Sequence, residues 1–365
     1  MSEGNGGEVH HVVATVGLND EANHFVASYF GKPGTSSDLA FYNRLEEGKR
    51  VWVVVRPLGY PDKLRPAVQA LRLAKAHVLV AHLPAGVTPA LGELVVTLDE
   101  FHQRFQSRVF ACVTGVDVKN EYALPEFQEK LAALFRETSF GGKSVSVHAV
   151  RAPNDREQLR RAIESTPASP ETGLGERRVD ETKVLVDHAF PVKGVGTVVL
   201  GIAERGRVQA GSMLELVGPS GKKKVIVRSI QKHDRDFKVA EAGDRVGLAL
   251  KGVRPEDVGR DHVLASSGTI DPVNRVELAD FHLHRYFQEE VSPESGRQYH
   301  ILVNLATSPV KLVEGRASPG DVATLRLLSE KALPVDTEGT PATLLALGRF
   351  EGRLRVLGSG VARPA

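Results

Sequence analysis

The sequence predicts a doubly wound α/β domain followed by two all-β barrels. In its first half, apolar runs alternate with amphipathic helix patterns, which is typical of a parallel sheet covered by helices. A segment rich in Pro, Gly, Ser, Thr and charged residues follows, and beyond it short β-branched runs are separated by glycine-containing turns. We therefore predict an α/β domain at residues 1–166, a linker at 167–182, and barrels at 183–268 and 269–365.

The α/β prediction depends on apolar runs too continuous for half-exposed strands, because strands buried on both faces show no polar alternation. These runs are His11–Val16, Val51–Val55, His77–Ala81, Val109–Val113 and Val145–Ala149. Helix patterns lie between and after them, at Glu21–Phe30, Lys63–Lys75, Thr88–Phe105, Leu124–Arg136 and Asn154–Ser165. Phosphate-bearing ligands of such domains bind at the carboxyl ends of the strands.

The barrel prediction depends on short runs at close spacing with glycine-containing turns between them. In the first barrel these are Lys183–Asp187, Gly196–Ala203, Ser212–Val217, Lys224–Gln231 and Arg245–Leu250. In the second they are Glu277–His284, Gln298–Val303, Asp321–Leu328 and Arg353–Gly358.

Composition excludes several classes of protein. The chain of 365 residues is 41% hydrophobic and 25% charged, as in ordinary globular proteins, and its net charge of +2 does not suggest a DNA-coating protein. The single cysteine, Cys112, lies in an apolar run, so we expect core packing and a reducing, cytoplasmic location. No apolar stretch approaches membrane-spanning length, so no membrane association is expected.

The segment after the first predicted strand occupies the place of a phosphate-binding P-loop but lacks its chemistry. Gly17 and Asp20 fit the GxxxxGK[ST] pattern, whereas Asn23 and His24 stand where Lys and Ser/Thr are required. The lysine of a P-loop reaches the β- and γ-phosphates, and the hydroxyl holds Mg²⁺. The sequence therefore indicates a nucleotide-binding fold whose nucleotide chemistry has been lost.

Three segments in the second half carry a family resemblance: Asp187–Gly211, Ala240–Leu264 and Leu354–Gly360. They resemble translational GTPases of the elongation factor Tu superfamily, and most of all the selenocysteine-specific elongation factors. The opening DHAFPVKGVG is similar to that of the second domain in those factors. The resemblance implies the same three-domain plan, an α/β domain followed by two barrels.

The resemblance allows the remaining nucleotide motifs to be compared. The second switch of the family, Asp-x-Pro-Gly-His, corresponds to a run in which Arg56 replaces the Mg²⁺-linked Asp, Gly59 is kept, and Tyr60 replaces the water-positioning His. The guanine-reading Asn-Lys-x-Asp corresponds to a run from Thr114 to Asp117 that keeps only the Asp. Since phosphoryl transfer relies on positioning and electrostatics, these combined losses predict no catalytic residue.

The first switch and Arg56 leave open questions. Ser36 and Asp38 stand in the run that would present the first switch to the γ-phosphate. Arg56 either pairs with an acid such as Asp20 or Asp38 and fills the site, or is an exposed surface arginine.

The resemblance also implies an aminoacyl- or RNA-binding pocket in the first barrel, formed by Asp187, His188 and Arg245. His188 takes the place of an arginine in the family, which weakens the positive charge at neutral pH. The alternative is that Asp187 and Arg245 form a structural ion pair between barrel strands. Outside this pocket, a basic hairpin formed by Lys222, Lys223 and Lys224 is a candidate phosphate contact, or else a solvated turn.

Three functions agree with these patterns. One is a pseudo-GTPase related to elongation factors, which binds tRNA, the ribosome or a translation-associated protein and needs no cofactor or metal. The second is a divergent elongation factor that still binds GTP and Mg²⁺. The third is a protein-interaction scaffold with no RNA role. The coordinated loss of motifs favours the first and third over the second, and the retained Asp187 and Arg245 favour the first.

Overall fold

The computed structural model describes residues 8–46, 50–141, 147–165 and 181–365. They form two compact units, an α/β unit and a unit of two β-barrels. The linker prediction at 167–182 lies outside the described residues except for Glu181 and Thr182. Thr182 is buried, and its backbone N–H donates to Ser266 Oγ at 2.9 Å.

The α/β unit is built on a seven-stranded sheet in the order β2-β3-β4-β1-β5-β6-β7. Its strands are β1 (Val9–Gly17), β2 (Lys32–Ser36), β3 (Leu39–Glu46), β4 (Arg50–Pro57), β5 (Ala76–His82), β6 (Arg108–Thr114) and β7 (Val147–Ala149). Its helices are α1 (Asp20–Ala27), α2 (Leu64–Leu73), α3 (Pro89–Phe105), α4 (Leu124–Arg136) and α5 (Arg156–Ser165). The doubly wound prediction is confirmed, since β4, β1, β5, β6 and β7 are parallel.

The sheet carries two antiparallel strands, β2 and β3, that were not predicted. The run that was compared with the first switch therefore forms a hairpin at the sheet edge. β3 begins with the four buried residues Leu39–Tyr42, and Tyr42 packs with Trp52 and Phe30 in the core of this unit. Cys112 is in the same core, where burial raises the pKa of its thiol to about 12 and so makes it unreactive.

The first barrel is a sheet closed by the pairing of β11 with β12. Its strands are β8 (Lys183–Val192), β9 (Gly196–Arg205), β11 (Met213–Gly218), β12 (Gly221–Lys232), β15 (Arg245–Lys251) and β16 (Val263–Ala265). Short strands accompany it: β10 (Arg207–Gln209), β13 (Arg235–Phe237) and β14 (Val239–Glu241). Gly201 is required in β9, because a Cβ there would lie 2.3 Å from the carbonyl oxygen of Leu185.

The second barrel is closed by six strands in the order β17-β20-β19-β18-β21-β22. They are β17 (Ile270–Leu283), β18 (Tyr299–Val303), β19 (Ala306–Glu314), β20 (Val322–Asp336), β21 (Thr340–Leu345) and β22 (Val356–Pro364). The prediction of two all-β barrels is confirmed, although β19 and β21 were not predicted. Bulges interrupt β17 at two places, which lets this long strand pair with both β20 and β22.

Candidate functional site

The degenerate loop leads from β1 into α1 at the carboxyl end of the parallel sheet. Gly17 ends β1, and a Cβ at this position would lie 2.2 Å from the carbonyl oxygen of Val80. Asn19 caps the helix, since its Oδ1 accepts a hydrogen bond of 2.8 Å from the backbone N–H of Ala22. The helix N-terminus thus lies where nucleotide-binding folds place their phosphates.

An arginine from the neighbouring strand occupies the first turn of this helix. Arg56, at the end of β4, forms an ion pair with Asp20 and is only 7% exposed. Its Nε also donates to the hydroxyl of Tyr42 at 3.2 Å. The hypothesis that Arg56 pairs with an acid such as Asp20 agrees with this structure, and the exposed-arginine alternative is wrong.

Of the residues at the lysine and hydroxyl positions, Asn23 is buried, whereas His24 is exposed and contacts a tyrosine. Asn23 is 4% exposed, and its Oδ1 has no hydrogen-bond partner among the described residues. His24 Nδ1 lies 2.7 Å from the hydroxyl of Tyr42. The same hydroxyl accepts from Arg56, so Tyr42 contacts both residues. Asp20, Arg56, Tyr42 and His24 therefore form one continuous polar chain.

The second-switch residues are attached to α3. Gly59 has a φ of 84°, a conformation that favours glycine. The hydroxyl of Tyr60 lies 2.7 Å from the carbonyl oxygen of Ala90 and 2.9 Å from Glu93 Oε2. Tyr60 is thereby held against the start of a helix, a role different from that of a water-positioning histidine.

The remnant of the guanine-reading motif stabilises its own loop. Asp117 Oδ1 accepts from the backbone N–H groups of Lys119, at 2.7 Å, and Asn120, at 3.1 Å. Asn120 in turn accepts from the N–H of Asp117 at 2.8 Å. Thr114 is buried, and its hydroxyl donates to the carbonyl oxygen of Ala81 at 3.2 Å.

A histidine that sequence reasoning did not select lies beside this loop. His82 ends β5, and its Nδ1 is 3.3 Å from Thr114 Oγ1. A Cβ at Gly115 would lie 2.4 Å from the His82 ring, so the two are in close contact. Burial lowers the pKa of His82, and Glu21 only partly opposes this. His82 is therefore neutral at pH 7 and adds no positive charge to the site.

The first-switch residues lie in and after β2. The backbone of Ser36 pairs with Ala40, while its side chain lies outside the described residues. Asp38 Oδ1 accepts from the Ser37 hydroxyl at 3.0 Å, and the Asp38 carbonyl accepts from the N–H of Leu58 at 2.9 Å. The structure thus connects the first-switch segment to the start of the second-switch segment.

In the first barrel, Asp187, His188 and Arg245 are in direct contact. Arg245 binds the Asp187 carboxylate through both terminal nitrogens, with Nη2 at 2.9 Å from Oδ1, and His188 Nδ1 is 2.6 Å from the same oxygen. Burial alone would raise the pKa of Asp187, but Arg245 and His188 hold it below its usual range. Asp187 and Arg245 thus form an ion pair, with His188, 24% exposed at its side chain, on the solvent side. A contact of these residues with an aminoacyl group or RNA stays a prediction.

The basic hairpin is partly neutralised. Lys222 Nζ lies 2.7 Å from Asp271 of the second barrel, and Lys223 Nζ lies 3.8 Å from Asp257. Lys224 is exposed on β12. The structure therefore places these lysines beside carboxylates, and a phosphate contact by them stays a prediction.

Three residues of the degenerate site were not selected from the sequence: Tyr42, His82 and Glu93. His82 could have been found, because it is the last residue of a buried parallel strand next to β1. Tyr42 could not, since β3 was not predicted. Within the described residues, no cluster of three or more His, Cys, Asp or Glu side chains could hold a metal ion. None of the helices described is long and apolar enough to cross a membrane.

Comparison with known proteins shows which proteins the chain is similar to. Residues 196–264 match the family "Elongation factor Tu domain 2", which covers most of the first barrel. A selenocysteine-specific elongation factor of Methanocaldococcus jannaschii is 26% identical over 77% of this chain and 58% of its own length. Residues 196–264 thus form an elongation factor Tu-type domain 2, and the chain is SelB-like. A further relative in M. jannaschii, an uncharacterized protein, is 30% identical over 95% of this chain and 98% of its own length.

Solved structures show the same architecture for this SelB-like chain. Translation elongation factor SelB of Methanococcus maripaludis, in complex with the GTP analogue GppNHp, superposes with a TM-score of 0.80 at 21% identity, over 98% of this chain and 79% of the other. A bacterial selenocysteine-specific elongation factor gives a TM-score of 0.74 at 20% identity, over 97% and 58% of the two chains. The three-domain plan implied by the resemblance is therefore confirmed.

Proposed function

We propose that this SelB-like protein is a pseudo-GTPase that binds tRNA, the ribosome or a translation-associated protein without binding GTP. The observation that carries the proposal is the ion pair between Arg56 and Asp20 at the first turn of α1. In the family, the position of Arg56 carries the carboxylate that holds the magnesium shell. Here a buried cation takes that position and is already bound to a carboxylate.

Electrostatics at this helix disfavour a metal-bound triphosphate. Asp20 and Glu21 contribute two negative charges and Arg56 one positive charge, so the first turn carries a net charge of −1. A triphosphate requires positive charge from lysine and metal, and a divalent metal is repelled by Arg56. The residues present therefore do not fit GTP and Mg²⁺.

The loops that would recognise the nucleotide are also occupied by internal contacts. Asp117 is bonded to the N–H groups of its own turn, and Tyr60 is bonded to α3. His24, at the hydroxyl position, is hydrogen-bonded to Tyr42. Each of these contacts would have to break before the side chain could touch a nucleotide.

The case for an RNA or translation partner comes from the first barrel. Asp187 and Arg245 retain the residue types that the family shows at its aminoacyl pocket, and His188 is the member nearest solvent. Relatives named for selenocysteine-specific elongation support a partner in translation. The alternative of a scaffold with no RNA role is separated from this one by experiment.

The decisive test of the nucleotide claim is isothermal titration calorimetry with GppNHp and Mg²⁺. The SelB protein of M. maripaludis, solved with that analogue, is the positive control. We expect binding by the control and no measurable heat from this protein. Micromolar binding would overturn the proposal and support the divergent GTP-binding alternative.

RNA crosslinking with sequencing in the native cell tests the partner. Enrichment of tRNA or ribosomal RNA supports the proposal, and enrichment of neither supports the scaffold alternative. In vitro, His188→Ala should weaken tRNA binding more than Lys223→Ala, because Lys223 is more than half exposed and screened by Asp257. Unchanged melting temperatures would show that both variants are folded.

A further inference from the structure

The outer face of the second barrel presents an apolar side chain between two cations that form no ion pair among the described residues. Leu328, on β20, is 44% exposed. Its direct cross-strand neighbours are Arg275 on β17 and Lys311 on β19. Adjacent strands lie about 4.8 Å apart, so the backbones carrying the two cations are about 10 Å apart with Leu328 between them. This group is called the Leu328 row.

The next row on the same face shows how unusual this arrangement is. Arg326 is two residues from Leu328, and its cross-strand neighbours are Glu277 and Glu314. Arg326 Nη1 lies 2.7 Å from Glu314 Oε2. In the row of Arg326, the positive charge is thus compensated by acidic residues of the same barrel. In the Leu328 row, neither Arg275 nor Lys311 forms an ion pair with any residue that the structure describes.

The Leu328 row borders a groove large enough to hold part of a ligand. The groove encloses about 540 Å³. Its lining includes the half-exposed Leu328 and the polar residues Lys311, Arg297, Gln298 and Glu330, while the Val310 side chain belongs to the barrel core. Asn274 helps to open it, because this residue sits in a bulge of β17 and donates to the carbonyl of Ser329 at 3.1 Å. Arg297 is paired with Glu289, which leaves Lys311 as the uncompensated cation of the lining.

We propose that the Leu328 row is a docking site for an extended acidic segment of a partner protein, with an apolar side chain flanked by carboxylates. The apolar side chain would cover Leu328, and the carboxylates would meet Arg275 and Lys311. In protein-binding sites a few central side chains supply most of the affinity, and here the cations on either side of Leu328 add charge complementarity to an acidic partner. The proposal goes beyond the loss of nucleotide binding and does not depend on it.

The chemistry of the groove favours protein over RNA. An RNA backbone supplies phosphates for both cations but offers little apolar surface to cover Leu328. Glu330 is in the lining, and a continuous line of phosphates would meet its carboxylate. A peptide can place an N–H group or a neutral residue there while keeping its carboxylates at the cations.

Selection from a displayed library of random twelve-residue peptides tests this proposal. The full-length protein is the bait, and Leu328→Ser and Lys311→Glu are parallel baits. Val322→Ser and Lys238→Glu are matched controls, because Val322 is 68% exposed on the same strand and Lys238 is an exposed lysine of the first barrel. We expect enriched peptides with Leu, Phe or Met between Asp or Glu residues. Their binding should fall about tenfold with either groove variant and stay unchanged with either control.

Two results would overturn the proposal. One is the absence of such a motif among peptides enriched on the wild-type bait relative to Leu328→Ser. The other is a filter-binding assay with total tRNA in which Lys311→Glu abolishes RNA binding, Leu328→Ser has no effect, and no acidic peptide competes. That second result would assign the row to RNA. Neither result bears on GTP binding, so failure here is separable from failure of the proposed function.

Discussion

Lys183 Nζ donates to Asp336 Oδ2 over 2.6 Å and so joins the first strand of one barrel to a strand of the other. Both residues are 2% exposed. Arg205 Nη2 binds the other carboxylate oxygen at 2.9 Å, and Thr340 donates to Oδ2 at 2.8 Å. A buried ion pair contributes little net stability compared with well-packed apolar side chains at the same positions. Removing only one of its two charges is strongly destabilising, because the other charge then stays buried without compensation.

The Asp336→Ala variant should therefore destabilise the two-barrel unit by about 3 kcal/mol, because it removes the most buried carboxylate that Lys183 and Arg205 share. Each cation then keeps only one longer ion pair, Lys183 with Glu204 at 3.3 Å and Arg205 with Glu181 at 3.5 Å. The double variant Lys183→Met/Asp336→Leu should be less affected than the single one. Glu314→Ala is the control, since its pair with Arg326 is exposed and should change stability by less than about 1 kcal/mol. Urea unfolding followed by limited proteolysis of the barrels measures all three. A single variant as stable as the control would contradict this account.

Restoring the P-loop lysine alone should not restore nucleotide binding. In Asn23→Lys, the new ammonium would replace a side chain that is 4% exposed and would lie in the same site as Arg56. We expect no heat with GppNHp in calorimetry and a loss of stability of about 2 kcal/mol from the buried charge. Asn23→Ala separates the loss of the amide from the effect of charge. Appearance of GppNHp binding in the single lysine variant would count against the pseudo-GTPase proposal.

His77 should make the α/β unit acid-sensitive. Its ring is fully buried, Nε2 lies 2.9 Å from the carbonyl oxygen of Leu71, and burial lowers its pKa to about 4. The folded state therefore binds fewer protons than the unfolded state between pH 6.5 and 4, so stability falls as the pH falls through that window. The total loss by linkage is about 3 kcal/mol. His77→Gln keeps a donor but removes the titration, so its stability should vary less with pH in thermal unfolding. If the stability of the two proteins varied equally with pH, His77 would not be the origin of the acid sensitivity.

Gly358 should tolerate no side chain. It lies in β22 opposite β17, and a Cβ there would be 1.9 Å from the carbonyl oxygen of His282. Gly358→Ala should destabilise the second barrel by about 3 kcal/mol or more, because two paired strands must separate. Gly348→Ala is the matched control, since no atom lies within 4 Å of the added methyl group. Similar melting temperatures for the two variants would show that β17 and β22 adjust more freely than the structure indicates.

The fold could be predicted from the sequence because the burial of each segment determines the spacing of its apolar residues. Continuous apolar runs marked the parallel strands, and the change to short runs marked the barrels. The sequence did not predict strand β3, because LAFYNRLE is apolar only in its first half and its first residues were compared with a switch loop instead. The sequence did not predict β19 and β21 either, because each contains a proline, and proline weakens a strand pattern.

The candidate site was predictable in outline and not in its contacts. Motif comparison located Asn23, Arg56 and Asp117, since these positions follow strands in a known order. It could not show that Tyr42 links Arg56 to His24, because Tyr42 lies 14 positions from Arg56 and 18 positions from His24 in the sequence. The Leu328 row was equally inaccessible, since it depends on the register of three strands.

The counter-charge beside Asp20 has a consequence for how such a protein is regulated in the cell. In a working GTPase the positive charge at this site comes from a metal ion that binds together with the nucleotide. The binding state of such a protein therefore depends on the ratio of GTP to GDP in the cell. Here the positive charge is a side chain of the protein itself, present from synthesis to degradation. If the proposed loss of GTP binding holds, we expect the protein not to respond to starvation signals that act through guanine nucleotides, and its partner to be occupied according to the number of copies the cell makes.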